Sequence, residues 1–148
     1  MSITSGIGLR RIDHVGIAVP DLDQALELYV GTLGGECTHT ETNSEQGVSE
    51  AMVAWPDGSS QVQLLAPLDE NSTIQKFLDR QGPGLQQLAF EVEDIDHACA
   101  VLRDKGVRLL FDEPKTGTGG SRINFAHPKD VGGVLVELVE PVASTTPH

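Results

Sequence analysis

DHVGIAVPDLDQA (residues 13–25) returns later in the chain as QQLAFEVEDIDHA (residues 86–98). At a shift of 73 residues (86 − 13), Val19 meets Val92, Asp21 meets Asp94, Asp23 meets Asp96 and Ala25 meets Ala98. Each copy reads as an alternating apolar strand, an acidic turn and an amphipathic stretch. The ends of the halves match too. QVQLLAP from Gln61 lies over LVELVEP within VLVELVEP at a shift of 74 (136 − 62). Val62 then meets Val136, Gln63 meets Glu137, Leu64 meets Leu138 and Pro67 meets Pro141. A near-constant shift at both ends marks a duplicated unit, and each unit holds one strand, one helix and three strands.

The helices have local causes. Asp21 can cap a helix whose apolar face is Leu22, Ala25, Leu26, Tyr29 and Leu33, with Gly34–Gly35 as its stop. Asp94 caps Ile95, Ala98, Cys99 and Leu102, and Gly106 ends that helix. Between the halves, Ser72 to Gln81 predicts a short helix with Ile74, Phe77 and Leu78 inside and Gly82 at its end. Strands are expected near 13–19, 36–42, 49–55, 60–66, 86–92, 107–111, 121–126 and 133–139. The expected organisation is a flexible start (1–10), a first module (11–67), a linker with the short helix (68–84), a second module (85–141) and a tail (142–148). The fold class is α+β: two paired βαβββ modules forming a cup-shaped, partly open mixed sheet with helices outside.

Within these strands four polar residues sit on the face opposite the helix-packing residues. His14 opposes Val15, Ile17 and Val19; Gln87 opposes Leu88, Phe90 and Val92; Gln63 and Glu137 each stand between apolar neighbours. A lone polar residue on a strand is ordinarily just solvated. Here His14 is equivalent to Gln87 by the repeat, and Gln63 to Glu137. A carboxylate inside GVLVELV is costly to bury unless paired or metal-bound. One imidazole, two amide oxygens and one carboxylate suit a divalent ion such as Co²⁺, with Mn²⁺, Ni²⁺ or Zn²⁺ also possible.

Bulk properties bound the function. The net charge of −12, from 10 basic and 22 acidic residues, argues against nucleic-acid binding. No apolar run approaches the ~20 residues of a membrane span, and the start lacks a signal-peptide pattern. Cys37 and Cys99 are read as buried thiols in a reducing cytoplasm. An anionic substrate would need a local basic cluster, and Lys115, Arg122 and Lys129 are the densest.

IDHVGIAVPDLD (from Ile12), NSEQGVSEAM (from Asn43), VQLLAPLDENSTIQKFL (from Val62), GPGLQQLAFEVEDID (from Gly82), LLFDEPKTGTGGSRINFAHPKD (from Leu109) and GVLVELVEP (from Gly133) together resemble the methylmalonyl-CoA epimerases of the vicinal oxygen chelate superfamily. The resemblance runs from about Arg11 to Glu140. It implies metal ligands at His14, Gln63, Gln87 and Glu137. One departure is plain: Gln86–Gln87 stand where the family commonly has two histidines, so the third ligand is an amide, direct or through water.

The implied reaction interconverts (2R)- and (2S)-methylmalonyl-CoA by removing the proton between thioester and carboxylate and returning one on the opposite face. Two acid/base groups suit such an inversion. The resemblance places one on Glu50, in EQGVSEAM; Glu137 is the other, as ligand and base. Glu50 has the strand parity of Met52 and Ala54, and apolar surroundings would raise its pKa. Glu45 and Glu91 are understudies, with Glu91 at the rim. GTGGSRINF (from Gly117) lacks a phosphate-loop spacing and reads as a closing loop, with Arg122 and Lys129 as weak substrate contacts. His127 is a turn residue; His39 and His97 are surface or helix-side positions. The partners expected are an acyl-CoA substrate and a second copy in a homodimer, because such modules leave sheet edges. The alternatives are a glyoxalase I-like isomerase of a thiol adduct and a metal-free small-molecule binding protein of the same fold. Gln87 argues against an extradiol dioxygenase, which would need two His and one carboxylate for Fe²⁺.

Overall fold

The computed structural model describes residues 6–142. The expected tail from 143, and the first five residues of the expected flexible start, lie outside them. The chain divides into two compact units: His14–Gln87, and the chain on either side of it, up to Asp13 and from Leu88.

The His14–Gln87 unit takes in the end of β1 (Leu9–Ala18), α1 (Leu22–Leu26), β2 (Glu36–Asn43), β3 (Val48–Ala54), β4 (Gln61–Pro67), α2 (Thr73–Gln81) and the start of β5 (Gly84–Val92). Its strands lie in the order β2-β3-β4-β1. β1 runs parallel to β4, with Gly16 opposite Gln63, while β3 is antiparallel to both β2 and β4. A parallel pair needs a crossover, and the chain between β1 and β4 provides it.

The two faces of this sheet are covered differently. On one, Ile17, Val19, Val53, Leu64 and Ala66 pack against Leu22, Ala25, Leu26 and Tyr29 of the first helical segment. On the other, Ala18, Val48 and Leu65 pack against Ile74, Phe77 and Leu78 of α2. Ser72 caps α2 by accepting from the Ile74 and Gln75 amides, and Gly82, at φ 77°, ends it. The linker helix is therefore the cover for the face that carries His14 and Gln63.

The other unit holds the rest of β5 with α3 (Ile95–Asp104), β6 (Lys115–Thr116), β7 (Arg122–Ala126) and β8 (Val136–Glu140), in the strand order β5-β8-β7-β6. β5 and β8 are parallel, with Ala89 opposite Glu137. That pair is the Gly16–Gln63 pair moved by the two repeat shifts, so the duplication extends to strand register. Asp94 caps α3, whose Ile95, Ala98, Cys99 and Leu102 pack with Val92 and Leu138. The α+β class and the doubled βαβββ order are those expected.

Three local expectations are corrected. The first helix turns into a π-helix over Glu27–Thr32, which rotates Leu33 off the apolar stripe and leaves it half exposed. Cys37 is exposed, because β2 is the edge strand of its unit and its outer segment lacks a covering layer. Residues 107–111 form no strand beyond a single bridge from Leu109 to Ala126. The buried side chain of Asn124 takes the place of a ladder there: its Oδ1 accepts from the Phe111 amide at 3.1 Å, and its Nδ2 donates to the Phe111 carbonyl at 3.0 Å. Arg103 holds the Phe111 and Asp112 carbonyls from the other side.

Candidate functional site

Four of the five polar residues picked out from the sequence fall within the His14–Gln87 unit, and the structure brings them together. Registered residues share a sheet face. Gly16 pairs with Gln63 and Glu50 pairs with Leu65, so His14, Gly16, Gln63 and Glu50 project to one side. Gln87 reaches the same place from β5. All four polar side chains are buried, at 5% exposure for His14, 7% for Glu50, 4% for Gln63 and 8% for Gln87. Polar groups so enclosed are hydrogen-bonded within the protein.

Three contacts link them. Gln63 Nε2 donates to Glu50 Oε2 at 2.9 Å, Gln87 Nε2 donates to Gln63 Oε1 at 3.1 Å, and Gln87 Nε2 meets His14 Nε2 at 3.4 Å. Glu50 lies diagonally across β3 and β4 from Gln63, within reach of a long side chain. Its immediate neighbours on that face are the buried Val48, Met52 and Leu65.

These spacings fit a metal. Ligands about 2.1 Å from one ion stand about 3.0 Å apart at right angles and about 3.4 Å apart at the tetrahedral angle. The Gln63–Gln87 and Gln87–His14 contacts have those lengths. Gln87 turns its NH₂ toward both partners; half a turn of the amide places Oε1 there instead. Among the described residues no group of three or more His, Cys, Asp or Glu is assembled for a metal. A cation bound here would have to draw on the two glutamine amides beside His14.

Glu137 lies in the other unit, at 6% exposure in β8 between Val136 and the fully buried Leu138. It occupies in that half the slot that Gln63 occupies in the first. The repeat counterpart of Glu50 is Ile123, since Met52–Gln63 and Phe125–Glu137 are equivalent register pairs. The second half therefore has no acid at the Glu50 position.

The remaining candidates stand elsewhere. Glu45 is exposed. Glu91 is held by Arg10 at 3.6 Å and Arg11 at 3.3 Å. Arg122 makes two bonds to Asp96, at 2.9 and 3.0 Å, and lies 3.8 Å from Glu140. That pairing raises the guanidinium pKa and lowers that of Asp96. Lys129 is exposed on a short 3-10 turn, Pro128–Asp130, whose capping residue, His127, accepts from the Lys129 amide, in keeping with its reading as a turn residue. His39 is a surface residue bonded to Glu41 at 2.9 Å. Sequence reasoning passed over Gly16, although a single glycine inside a strand is a sign of close approach by another group.

The Glyoxalase/Bleomycin resistance protein/Dioxygenase superfamily matches residues 13–125. The chain is similar to the ethylmalonyl-CoA/methylmalonyl-CoA epimerase of Cereibacter sphaeroides, at 41% identity over 86% of this chain and 96% of that protein. Among solved structures, methylmalonyl-CoA epimerase from Mycobacterium tuberculosis is 53% identical, covering 96% of this chain and 94% of that one, with a TM-score of 0.90. A Glu-to-Gln variant of the Streptomyces coelicolor methylmalonyl-CoA epimerase, in complex with 2-nitronate-propionyl-CoA, is 51% identical, covering 92% of this chain and 100% of that one, with a TM-score of 0.86.

Proposed function

We propose, for a chain that belongs to the methylmalonyl-CoA epimerases of the Glyoxalase/Bleomycin resistance protein/Dioxygenase superfamily, that Glu50 and Glu137 exchange the C2 proton and that His14, Gln63, Gln87 and Glu137 hold a divalent cation. The chain is an isomerase that interconverts the two C2 epimers of methylmalonyl-CoA. The thiol-adduct isomerase and the metal-free binding protein give way to that activity.

The observation that carries the residue assignment is the buried line from His14 through Gln87 and Gln63 to Glu50. A carboxylate so placed is close to the metal-ligand atoms yet need not be a ligand itself. Gln63 holds its Oε2, so Glu50 presents a fixed oxygen to one face of a substrate carbon. Glu137 is supported by its repeat equivalence to Gln63, and it supplies the only carboxylate of the donor set. The cation, with Co²⁺ the first candidate, supplies Lewis-acid stabilisation of the charge that develops on the thioester oxygen. Glu50 takes the C2 proton of one epimer, and Glu137 delivers a proton to the opposite face; the reverse reaction exchanges the roles.

CoA phosphates need cationic partners, and Lys129 and Arg122 are the proposed ones. Arg122 already shares its charge with Asp96 and Glu140, so an anion there competes with two carboxylates. A homodimer belongs to the same reading, since β2 leaves a largely exposed edge in its unit.

The test is isotope exchange at C2 in D₂O, starting from each epimer separately. The wild type should incorporate deuterium and invert. Glu50→Gln should exchange only one epimer and invert neither, and Glu137→Gln should do the same with the other epimer. Inversion by Glu50→Gln at the wild-type rate would overturn the assignment. Chelation should abolish both exchange and inversion, and Co²⁺ should restore them.

A further inference from the structure

The geometry points to Gly16 as the positioning residue that admits the Gln87 side chain to the ligand cluster. The inference rests on the metal reading above. A Cβ built on Gly16 would stand 2.4 Å from Gln87 Cγ, 3.0 Å from its Cδ and 3.2 Å from Leu65 Cδ1. The first distance lies far inside van der Waals contact. The clash falls on the stem of the side chain, and the Cδ contact shows that the amide root shares the slot. Turning its amide alone would therefore not relieve the contact; Gln87 would have to change its course at Cγ.

Backbone strain is not the reason for the glycine. Gly16 lies in regular β1, opposite Gln63 in the parallel ladder, and is absent from the glycines of positive φ. Its role is steric. The missing side chain opens a channel between the strand that carries His14 and the amide that reaches His14 at 3.4 Å and Gln63 at 3.1 Å. The repeat counterpart of Gly16 is Ala89, so the second half tolerates a methyl group in that slot and the first does not. Lining the slot, Leu65 is 4% exposed and belongs to the packed cluster under α2, so it offers little room for retreat.

The experiment is a double-mutant cycle with Gly16→Ala, Gln87→Ala and the pair, read by Co²⁺ titration of the full chain and by Tm of the metal-free protein. Gly16→Ala alone should weaken Co²⁺ binding about 10–100-fold, as loss of a supporting contact does, and should lower the metal-free Tm. In the Gln87→Ala background the same substitution should change affinity by less than about twofold and lower Tm by clearly less, because the Gln87 Cγ and Cδ are gone and only the Leu65 contact remains. Equal effects of Gly16→Ala in both backgrounds would overturn the inference. So would wild-type Co²⁺ affinity in the single Gly16→Ala variant. If that variant does not fold, recovery of folding in the double variant supports the steric role and continued failure refutes it. Absence of Co²⁺ binding by the wild type would instead defeat the metal reading, and the Tm cycle would still decide whether Gly16 makes room for Gln87.

Discussion

The Gln63 side chain is pinned at both ends: Nε2 donates to Glu50 Oε2 at 2.9 Å, and Oε1 accepts from Gln87 Nε2 at 3.1 Å. The Glu50 oxygen accepts from the Gln63 NH₂, and this contact fixes which end of the Gln63 amide faces Glu50. The amide oxygen is then turned toward His14 and Gln87, where a cation would need it. The proposed base thus also orients a proposed ligand.

Substitutions at Glu50 should separate these two roles. Glu50→Gln and Glu50→Leu should both lose about 10²–10⁴-fold in kcat, the usual contribution of a general base. Glu50→Gln retains an oxygen acceptor for Gln63 and should bind Co²⁺ much as the wild type does. Glu50→Leu lacks one and should bind about 10–100-fold more weakly. Equal Co²⁺ affinities for the two variants, measured by titration, would leave the orienting role without support.

Asn124 should prove a stability residue in its own right. It is fully buried and bonds both backbone groups of Phe111. Asn124→Leu would leave the Phe111 amide without its acceptor and the carbonyl to Arg103 alone, at about 1–3 kcal/mol. Thermal unfolding should shift down by roughly 3–10 °C. An unchanged Tm would show that the 107–116 segment does not depend on this anchor.

The two thiols should react very differently. Cys37 is exposed on β2, whereas Cys99 is 1% exposed under α3, and burial pushes its thiol above the ordinary range. The native protein should titrate one equivalent of a disulfide reagent and release the second only in denaturant. Cys37→Ser should abolish the native reaction. Two fast equivalents from the native wild type would contradict the packing described for α3.

Acid should remove one identifiable ion pair. Arg108 donates to Asp130 through its side chain and its backbone amide, and these bonds lower the Asp130 pKa to about 2. A pKa depressed on folding adds stability that is complete above the unfolded value, about 4, and disappears as pH falls through about 2. The group is at the surface, so the effect is small. Urea midpoints of the wild type and Asp130→Asn should differ by a constant amount from pH 7 to about 4 and converge below it. A difference that persists unchanged at pH 2 would exclude this pair as its source.

Much of the molecule was legible in the order of its residues. Strand alternation, caps at Asp21, Ser72 and Asp94, and the glycine stops are local signals, each set by a few neighbouring residues. The repeat carried the reading further. Two shifts, 73 and 74, were enough to mark His14, Gln63, Gln87 and Glu137 as equivalent slots, and the registers Gly16–Gln63 and Ala89–Glu137 reproduce them. Where the reading failed, the cause was mostly a partner or neighbour distant in the chain, and once a local change of helix type. A side chain thirteen residues away replaced a strand at Phe111. Edge position exposed Cys37, and a π-turn displaced Leu33.

By itself the sequence determined the doubled βαβββ order, the helix limits and the face on which each polar residue stands, because periodicity and capping act over a few residues. Only the tertiary structure decided that Glu50 would bind the Gln63 amide, that the stem of Gln87 would pass over Gly16, and that α2 would cover this polar face. Those outcomes depend on which strands become neighbours and how closely their side chains approach, distances that alternation along a single strand does not encode.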